Sequence, residues 1–162
     1  MAIAITSIGT KVSFAFEEEK GVRPVKDYKR IPDIQEIPDM NPTPETGETT
    51  SMDNEEYRTY VPLLKDLGGS LAFTANLSQE LYELWNGTGG IMEGWEKAKG
   101  EGRAMYICID IKGLDESCYL SVQPSKFGLP SASTNSVLTH TIYFTPLGEP
   151  IWGADPEYIK ED

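Results

Sequence analysis

A two-residue alternation of apolar and polar side chains constrains the fold of this chain more than any other feature. The segment "TKVSFAFEE", residues 10–18, places Val12, Phe14 and Phe16 on one side and mostly small or polar residues on the other. Successive side chains of a β-strand point to opposite faces of the sheet, so this segment predicts a strand with one buried face. The same alternation, or a high content of β-branched and aromatic residues, predicts further strands at residues 70–77, 103–111, 118–123 and 135–146.

One helical segment interrupts the strands. Ser78 is a favourable N-cap, and "QELYELW" follows it with apolar residues at helical spacing. The glycines at 87–90 end this helix, and "IMEGWEKAKG", residues 91–100, continues as a second helical piece. Strands, one helical segment and more strands predict a single α+β domain, residues 1–162, built as an antiparallel β-sandwich or half-barrel with the helical segment on one side.

The alternation also predicts which residues form the core. In "RAMYICIDI" the apolar residues of one face should pack against the apolar face of the helix, and "KGLDES" reads as a turn that returns the chain to the next strand. The expected contacts join Met105, Ile107, Ile109 and Ile111 to Leu81, Leu84 and Trp85.

Residues 31–61 differ from the rest of the chain. Eight acidic side chains lie between Ile31 and Tyr57, and the first basic residue after them is Arg58. Prolines confine such a segment to the edge of a sheet, and 16 residues ("NPTPETGETTSMDNEE") form a long connection. Two alternatives remain: a disordered loop, or a long extended hairpin or loop arm that becomes ordered against a neighbouring molecule.

The net charge of −12 argues against nucleic-acid binding. Proteins that bind nucleic acid gain much of their affinity by neutralising phosphates with Lys and Arg, and this chain has 14 such residues against 26 carboxylates. The first residues contain no positive charge before Lys11 and no apolar run long enough to span a bilayer. We expect a protein that is made and kept in a cytoplasm, or assembled from one, without membrane insertion.

No catalytic, cofactor or metal site is recognisable. His140 has no partners at a characteristic spacing, and we expect a structural or surface role for it. Cys108 and Cys118 form no CxxC pair; a disulfide between them is possible in principle, but two reduced thiols in or beside the core are expected. Trp85, Trp95 and Trp152 could line a carbohydrate-binding face of a secreted β-sandwich. Core packing is the expected role of the two that lie on the helical segment, Trp85 and Trp95.

Three long segments together resemble the major tail tube protein of long-tailed bacteriophages. The opening "IGTKVSFAFEEEKGVRPVKDYKRIPDIQEIPDMNPTPE" is similar to that family's first strand, its Gly-x-x-Pro turn and its Ile-Pro-x-Ile-x-x-Ile-Pro segment. The block "PETGETTSMDNEEYRTYVPLLKDLGGSLAFTANL" resembles its Glu-x-Thr strand, acidic loop and Tyr-containing strand. The end, "NSVLTHTIYFTPLGEPIW", is similar to its last strand and closing motif.

The resemblance implies a structural virion protein of the tail. Subunits would form hexameric rings that stack into a hollow tube, with strands joining a ring-wide β-barrel around the channel and the helix outside. It implies partners of its own kind, tail-completion, baseplate or tip and tape-measure proteins, and double-stranded DNA that passes without specific binding. The inner tube of a contractile tail or of a tail-like bacteriocin is the alternative, and assembly would take place in the host bacterial cytoplasm.

Two sets of residues follow as expectations from this resemblance. A conduit for DNA gains from a wall of like charge, which repels phosphates over about 8 Å at physiological salt. The candidates for an acidic lumen are Asp33, Glu36, Glu45, Glu48 and Asp110. The candidates for an arm between rings are Asn41, Pro42, Thr43, Pro44, Thr49, Thr50, Met52, Asp53, Asn54, Glu55 and Glu56.

Overall fold

Ten strands and two helices make up the part of the chain that the computed structural model describes, which comprises residues 4–42, 46–52, 57–58, 60–62, 69–130 and 132–159. The described elements are β1 (Lys11–Phe16), β2 (Lys29–Arg30), β3 (Ile34–Glu36), β4 (Thr46–Glu48), β5 (Tyr60–Pro62), β6 (Leu71–Asn76), α1 (Gln79–Asn86), α2 (Ile91–Gly100), β7 (Met105–Asp110), β8 (Ser117–Pro124), β9 (Thr139–Pro146) and β10 (Ile151–Gly153).

One antiparallel sheet carries the fold. Its strand order is β2-β1-β7-β8-β9-β6-β3, and β10 pairs with the first half of β8, beside the position where β9 pairs with the second half. Each of the longer strands predicted from the sequence is present. The α+β class, with an antiparallel half-barrel and a packed helical segment, is confirmed.

Residues 29–36 link the two outer edges of this sheet. The Ile31 N–H donates to the Val12 carbonyl of β1 at 2.9 Å, and the Asn76 N–H of β6 donates to the Asp33 carbonyl at 3.0 Å. One short stretch of chain therefore borders both β1 and β6, which curves the sheet around its core. The proline-containing segment lies at the sheet edge, as its sequence predicts.

The helices begin and end where local chemistry dictates. The Ser78 side chain accepts a hydrogen bond from the Leu81 N–H at 3.1 Å, which satisfies one free donor of the first turn of α1. The Gly87 N–H donates to the Glu83 carbonyl at 2.8 Å and closes the last turn. α2 starts directly after Gly90, so the predicted helical segment consists of two short helices.

The main core lies between the helices and one face of the sheet, which we call the core face. Ile109 is 4% exposed, and Ile111, at the end of the strand, is partly buried against the same cluster. The predicted register of β7 against the helices is thereby confirmed. The core includes Val12, Phe14, Leu71, Phe73, Leu81, Leu84, Trp85, Ile91, Trp95, Met105, Ile107, Ile109, Leu120, Val122, Ile142 and Phe144.

A second, smaller cluster lies on the opposite face of the sheet, the far face. Ala15 and Cys108 are buried there with Tyr28 and Tyr119. The expectation that β1 and β7 bury only one face is therefore wrong. An alternating pattern reports the polarity of each face and does not report whether another part of the chain covers it.

Two distant chain segments cover the part of the far face that β1, β7 and the start of β8 form. The Tyr28 N–H donates to the Glu157 carbonyl at 3.1 Å, and the Tyr119 hydroxyl donates to the Ala154 carbonyl. The Arg23 guanidinium lies 4.0 Å from the centre of the Tyr119 ring, a cation–π arrangement. Residues 23–28 and 154–159 thus form a lid over β1, β7 and the start of β8.

The two cysteines lie on opposite faces of the sheet. Ile109 pairs with Cys118 and Cys108 pairs with Tyr119, so the Cys118 side chain points to the core face and the Cys108 side chain to the far face. Both thiols are free and buried. Because the two side chains point to opposite faces of the sheet, no disulfide can join them. The alternation of side chains is present in the sequence, but the register that places the two cysteines is known only from the structure.

Candidate assembly surfaces

The far face divides into a covered half and an open half. The open half is formed by β6, β9 and the end of β8, and its side chains are half-buried or exposed. Thr74 pairs with Thr141 and Gln123 pairs with Thr145, which sets hydroxyl and amide groups side by side. The side chains of the open half are Ala72, Thr74, Asn76, Ser121, Gln123, Thr139, Thr141, Tyr143 and Thr145.

None of the side chains in this open half carries a charge. Hydroxyl and amide groups exchange hydrogen bonds with water, and they provide neither the cations that bind phosphates nor the carboxylates that repel them. We did not anticipate this surface from the sequence. The sequence "THTIYFTP", residues 139–146, contains the pattern that could have predicted it. Every second residue is Thr or Tyr, and the residues between them point to the core face.

Two of the proposed lumen carboxylates lie at the border of the open half. Glu36 pairs with Thr74, so its register assigns it to the far face, and its side chain is exposed. Asp33 lies in the preceding turn, with a positive φ of 58° and an exposed side chain. These two residues belong to the segment that links β1 to β6.

Asp110 lies elsewhere, under the lid of the covered half. It pairs with Lys11 across the sheet, and its carboxylate accepts a hydrogen bond from the Tyr158 hydroxyl at 3.1 Å. Burial raises the pKa of Tyr158, and the neighbouring Asp110 charge raises it further. The contact keeps the phenol protonated and fixes residues 154–159 on β7.

Glu48 lies on a different element again, the hairpin of β4 and β5. Its carboxylate is 3.8 Å from the Arg58 guanidinium in an exposed ion pair, a type that contributes little to stability. Glu45 lies outside the described residues. The four proposed lumen carboxylates that the structure describes therefore do not form one cluster.

The hairpin of β4 and β5 spans residues 46–62, at the end of the segment 31–61 that the sequence predicts as an arm. It forms a separate two-stranded sheet, which we call the arm. Thr46 pairs with Pro62 and Glu48 with Tyr60, and no described hydrogen bond joins these strands to the main sheet. Met52 is 102% exposed and Tyr57 78%, so both side chains are open to solvent in the single chain.

The other proposed residues of the arm fall into three groups. Asn41 and Pro42 lie at its base, beside a groove of the main domain. Thr49 and Thr50 follow β4 directly. Six proposed arm residues lie outside the described residues: Thr43, Pro44, Asp53, Asn54, Glu55 and Glu56.

The groove at the base of the arm is an opening into the main core, with a volume of about 1140 Å³. Ile109 and Cys118 form its floor, and Ile5, Ile37 and Trp152 form its walls. Trp152 is 53% exposed and Ile5 51%. A contiguous apolar surface of this kind is typical of a site that another molecule covers.

Burial shifts the pKa values of Cys108 and His140 toward their neutral forms. Burial raises the pKa of the Cys108 thiol to about 11, which keeps it protonated and unreactive. His140 is 6% exposed and stacks on Phe127 at 4.0 Å between ring centres, and desolvation lowers its pKa. In the described residues no group of His, Cys, Asp or Glu side chains could hold a metal ion, and no described helix is long and apolar enough to cross a membrane.

The three tryptophans do not form a common surface. Trp85 and Trp95 are buried in the main core, at 1% and 8% exposure, and only Trp152 is open to solvent. The core role expected for the first two is confirmed. A carbohydrate-binding face built on all three is therefore wrong.

Comparisons with known proteins support the fold. No protein-family model matches the chain, and no curated protein matches it. A similar fold occurs in a chain of the cryo-EM structure of the anti-feeding prophage baseplate, determined with 6-fold symmetry. The TM-score is 0.62 and the sequence identity 13%, over 95% of this chain and 98% of that chain. At this identity the likeness shows a shared fold across almost the full length of both chains.

Proposed function

We propose that this chain is a structural subunit of a phage tail or tail-like particle, in which hexameric rings stack into a hollow tube. The observation that carries the proposal is the whole-length fold likeness to a chain of a six-fold symmetrised tail-like particle. It agrees with the resemblance of three sequence segments to the tail tube family. The two observations are independent, because the first rests on the backbone fold and the second on sequence motifs.

The open half of the far face would line the channel. Strands β6, β9 and β8 of each subunit would continue around the ring, which removes the free sheet edges that otherwise favour aggregation. A wall of hydroxyl and amide groups is wetted and lacks the Lys and Arg charges that supply most non-specific affinity for DNA, so double-stranded DNA could pass without being held. The carboxylates at its border, with Glu36 foremost, would add a repulsive charge.

The arm would connect neighbouring subunits. Among the described residues its hairpin pairs with no strand of the main sheet, and a two-stranded hairpin alone is marginally stable in water. The partners would be copies of the same chain and, at the ends of the tube, tail-completion, baseplate or tip and tape-measure proteins. Assembly would take place in the host bacterial cytoplasm, and the mature location would be the virion tail.

Negative-stain electron microscopy of the purified chain at rising concentration tests this function. We expect monomers or short oligomers in dilute solution and long hollow filaments with six-fold rings in concentrated solution. A chain that stays monomeric at every concentration, also in the presence of a tail-initiation complex, would contradict the proposal.

The charge of the wall is tested by Glu36→Lys, alone and with Glu48→Lys. The lysines would offer phosphate contacts in every ring, so we expect tubes that assemble but eject DNA more slowly, above all at low salt. Glu96→Lys, on the exposed face of α2, is the matched control with the same charge change. If DNA is ejected at the wild-type rate at all salt concentrations, these residues do not line the channel.

The inner tube of a contractile tail or of a tail-like bacteriocin is the second candidate. The fold likeness to a chain of the anti-feeding prophage baseplate favours it. Cryo-electron microscopy of intact particles distinguishes the two, because a contractile particle encloses its tube in a sheath and a flexible tail does not.

A further inference from the structure

The apolar groove at the base of the arm opens beside the start of β8. Its floor consists of Ile109 and Cys118, which belong to the core face of the sheet. Its walls leave Trp152 and Ile5 half-exposed. The core therefore continues into a surface that gains stability when further apolar side chains fill it, at about 25 cal/mol per Å² of apolar surface removed from water.

The charge of the groove restricts what can fill it. The exposed carboxylates of Asp39 and Glu149 lie at its rim, and no Lys or Arg is among the described residues that line it. Such a rim repels other carboxylates and attracts cations at close range. Because the chain carries 26 acidic residues, few surfaces of a second copy could approach this groove without repulsion.

The connection between β8 and β9, residues 125–138, is a surface without that repulsion, and we call it the β8–β9 loop. Residues 117–148 contain no Asp or Glu, and Lys126 is the one Lys or Arg among them. Leu129 is 94% exposed, and Lys126 is exposed three residues before it. Their Cα atoms are at most about 11 Å apart, because an extended chain spans no more than about 3.6 Å per residue. The loop therefore combines an apolar side chain with a nearby cation, which is the chemistry that the groove and its rim would bind.

Two contacts hold the beginning of this loop on the core. The Trp85 indole N–H donates to the Ser125 carbonyl at 2.9 Å, and the Phe127 ring stacks on His140 with 4.0 Å between ring centres. Leu129 thus follows an anchored segment and is itself open to solvent. Anchoring favours binding, since a segment that is already ordered loses less conformational entropy when a partner covers it.

The groove and the β8–β9 loop lie at opposite ends of β8. Cys118 is the second residue of this strand, and the loop begins directly after its last residue, Pro124. The 8 residues of β8 span about 26 Å. A contact between surfaces at opposite ends is not self-complementary, so it joins copies head to tail and generates rings or open stacks when it is repeated.

We propose that the groove of one copy binds the β8–β9 loop of a second copy, with Leu129 in the groove and Lys126 beside the carboxylates at its rim. This inference rests on the proposed tube function and adds a contact between copies that is separate from the arm. The apolar part supplies most of the affinity, and the charges select the loop over the acidic surfaces of the chain.

Disulfide trapping tests the contact directly. The double variant Ile5→Cys with Leu129→Cys places one thiol on the wall of the groove and one on the loop, and both positions are exposed in the single chain. Under mild oxidation of assembled protein we expect a ladder of covalent multimers on a non-reducing gel. Neither single variant should give a ladder. Well-formed tubes of the double variant that give no ladder overturn the contact.

A matched control separates specific contact from chance collision. Val22 is also an exposed aliphatic residue, at 55%, but it belongs neither to the groove nor to the loop. Ile5→Cys with Val22→Cys should give no ladder above the level of wild type, whose own thiols are buried. A control ladder as strong as that of the loop variant, or a stronger ladder from Ile5→Cys with Met52→Cys on the arm, would mean that the loop is not the occupant.

A charge exchange tests the position of Lys126. Lys126→Glu should raise the concentration needed for assembly about threefold, because like charges would then meet at the rim. Adding Glu149→Lys should restore assembly toward the wild-type concentration, and Lys99→Glu, at an exposed position of α2, should leave it unchanged. If the combined variant assembles no better than Lys126→Glu alone, Lys126 does not meet this rim and the proposed pairing is wrong.

Tryptophan fluorescence gives a readout that needs neither a cysteine nor a charge change. Of the three tryptophans only Trp152 is exposed, so its burial by the loop should shift the emission to shorter wavelength on assembly, and Trp152→Phe should abolish that shift. Leu129→Asn, of similar size but polar, should raise the concentration needed for assembly roughly tenfold or more. Val22→Asn is the matched control and should leave it nearly unchanged. Assembly without any change in emission contradicts the proposal.

The outcomes distinguish this inference from the function on which it rests. Wild-type protein that never polymerises contradicts the tube function itself. Wild-type tubes that form normally, together with no ladder from the loop variant and an unchanged assembly concentration for Leu129→Asn, overturn the groove contact and leave the tube function standing.

Discussion

The main domain and the arm are both built from antiparallel strands, yet they bury their side chains very differently. Phe73 and Ile107 in the sheet are at most 1% exposed, whereas Met52 and Tyr57 in the arm are at least 78% exposed. The sheet is stabilised by its own helices and by the lid of residues 23–28 and 154–159. The arm has the hydrogen bonds of a hairpin and forms a sheet of its own, apart from the main sheet. This difference is the reason for proposing that the arm contacts another molecule.

The largest expected effect comes from removing the arm. Deletion of residues 43–54 should leave a folded monomer that no longer polymerises, because the proposed tube requires this segment between copies and its described residues, 46–52, belong to neither core cluster. Circular dichroism and thermal unfolding check the fold, and electron microscopy checks assembly. If the shortened chain still forms normal tubes, the arm does not join the subunits and the contrast between the two regions has no functional meaning.

The next effect concerns the main domain alone. Ile109→Ala should lower the free energy of unfolding by about 2–5 kcal/mol, because it leaves a cavity below the helices. A denaturant titration measures it, with Val137→Ala, at a residue that is 77% exposed, as the control that should change little. A loss below about 1 kcal/mol would mean that the floor of the groove is less tightly packed than the rest of the core.

A smaller effect is expected at the start of α1. Ser78→Ala should cost about 1 kcal/mol, because the Leu81 N–H loses its acceptor. Ser51→Ala, in the exposed arm, is the matched control, since it changes the same atoms outside the packed domain. Equal losses in the two variants would indicate that the arm is held as firmly as the helix.

The smallest effect depends on pH. Burial lowers the pKa of His140 in the folded state, so the unfolded state binds more protons as the pH falls below about 6.5. The stability of the main domain should therefore be complete above that pH and decrease as the pH falls through this window. His140→Gln should show a weaker decrease between pH 7.5 and 5.5 in denaturant titrations. Identical pH profiles would show that His140 stays accessible to protons in the folded chain.

The alternation of apolar residues predicted the elements of the main domain well. The strand around Ile107, the N-cap at Ser78 and the burial of Trp85 follow from spacing and local hydrogen bonding, which a sequence contains directly. The arm was recognised from its prolines and its single sign of charge. Its hairpin pairing could not be assigned, because the register of an exposed two-stranded hairpin is weakly specified by its side chains.

The candidate surfaces were predicted less completely, because they depend on how distant strands pair and a sequence does not state that pairing directly. The carboxylates were selected by their charge, but Asp110 lies under Tyr158 and Glu36 lies at the edge of β6, and only the pairing of distant strands decides this. The neutral open half was overlooked because its members come from three separate strands. Their shared face exists only after β6, β8 and β9 are adjacent.

The sequence by itself determined the period of each strand, the start of α1 and the polarity of each face, because these depend on residues a few positions apart. The tertiary structure alone decided which faces are covered. Residues 23–28 and 154–159 cover one half of the far face and leave the other open, and residues 29–36 border both β1 and β6 and so curve the sheet. These outcomes depend on where distant segments meet, which local spacing does not encode.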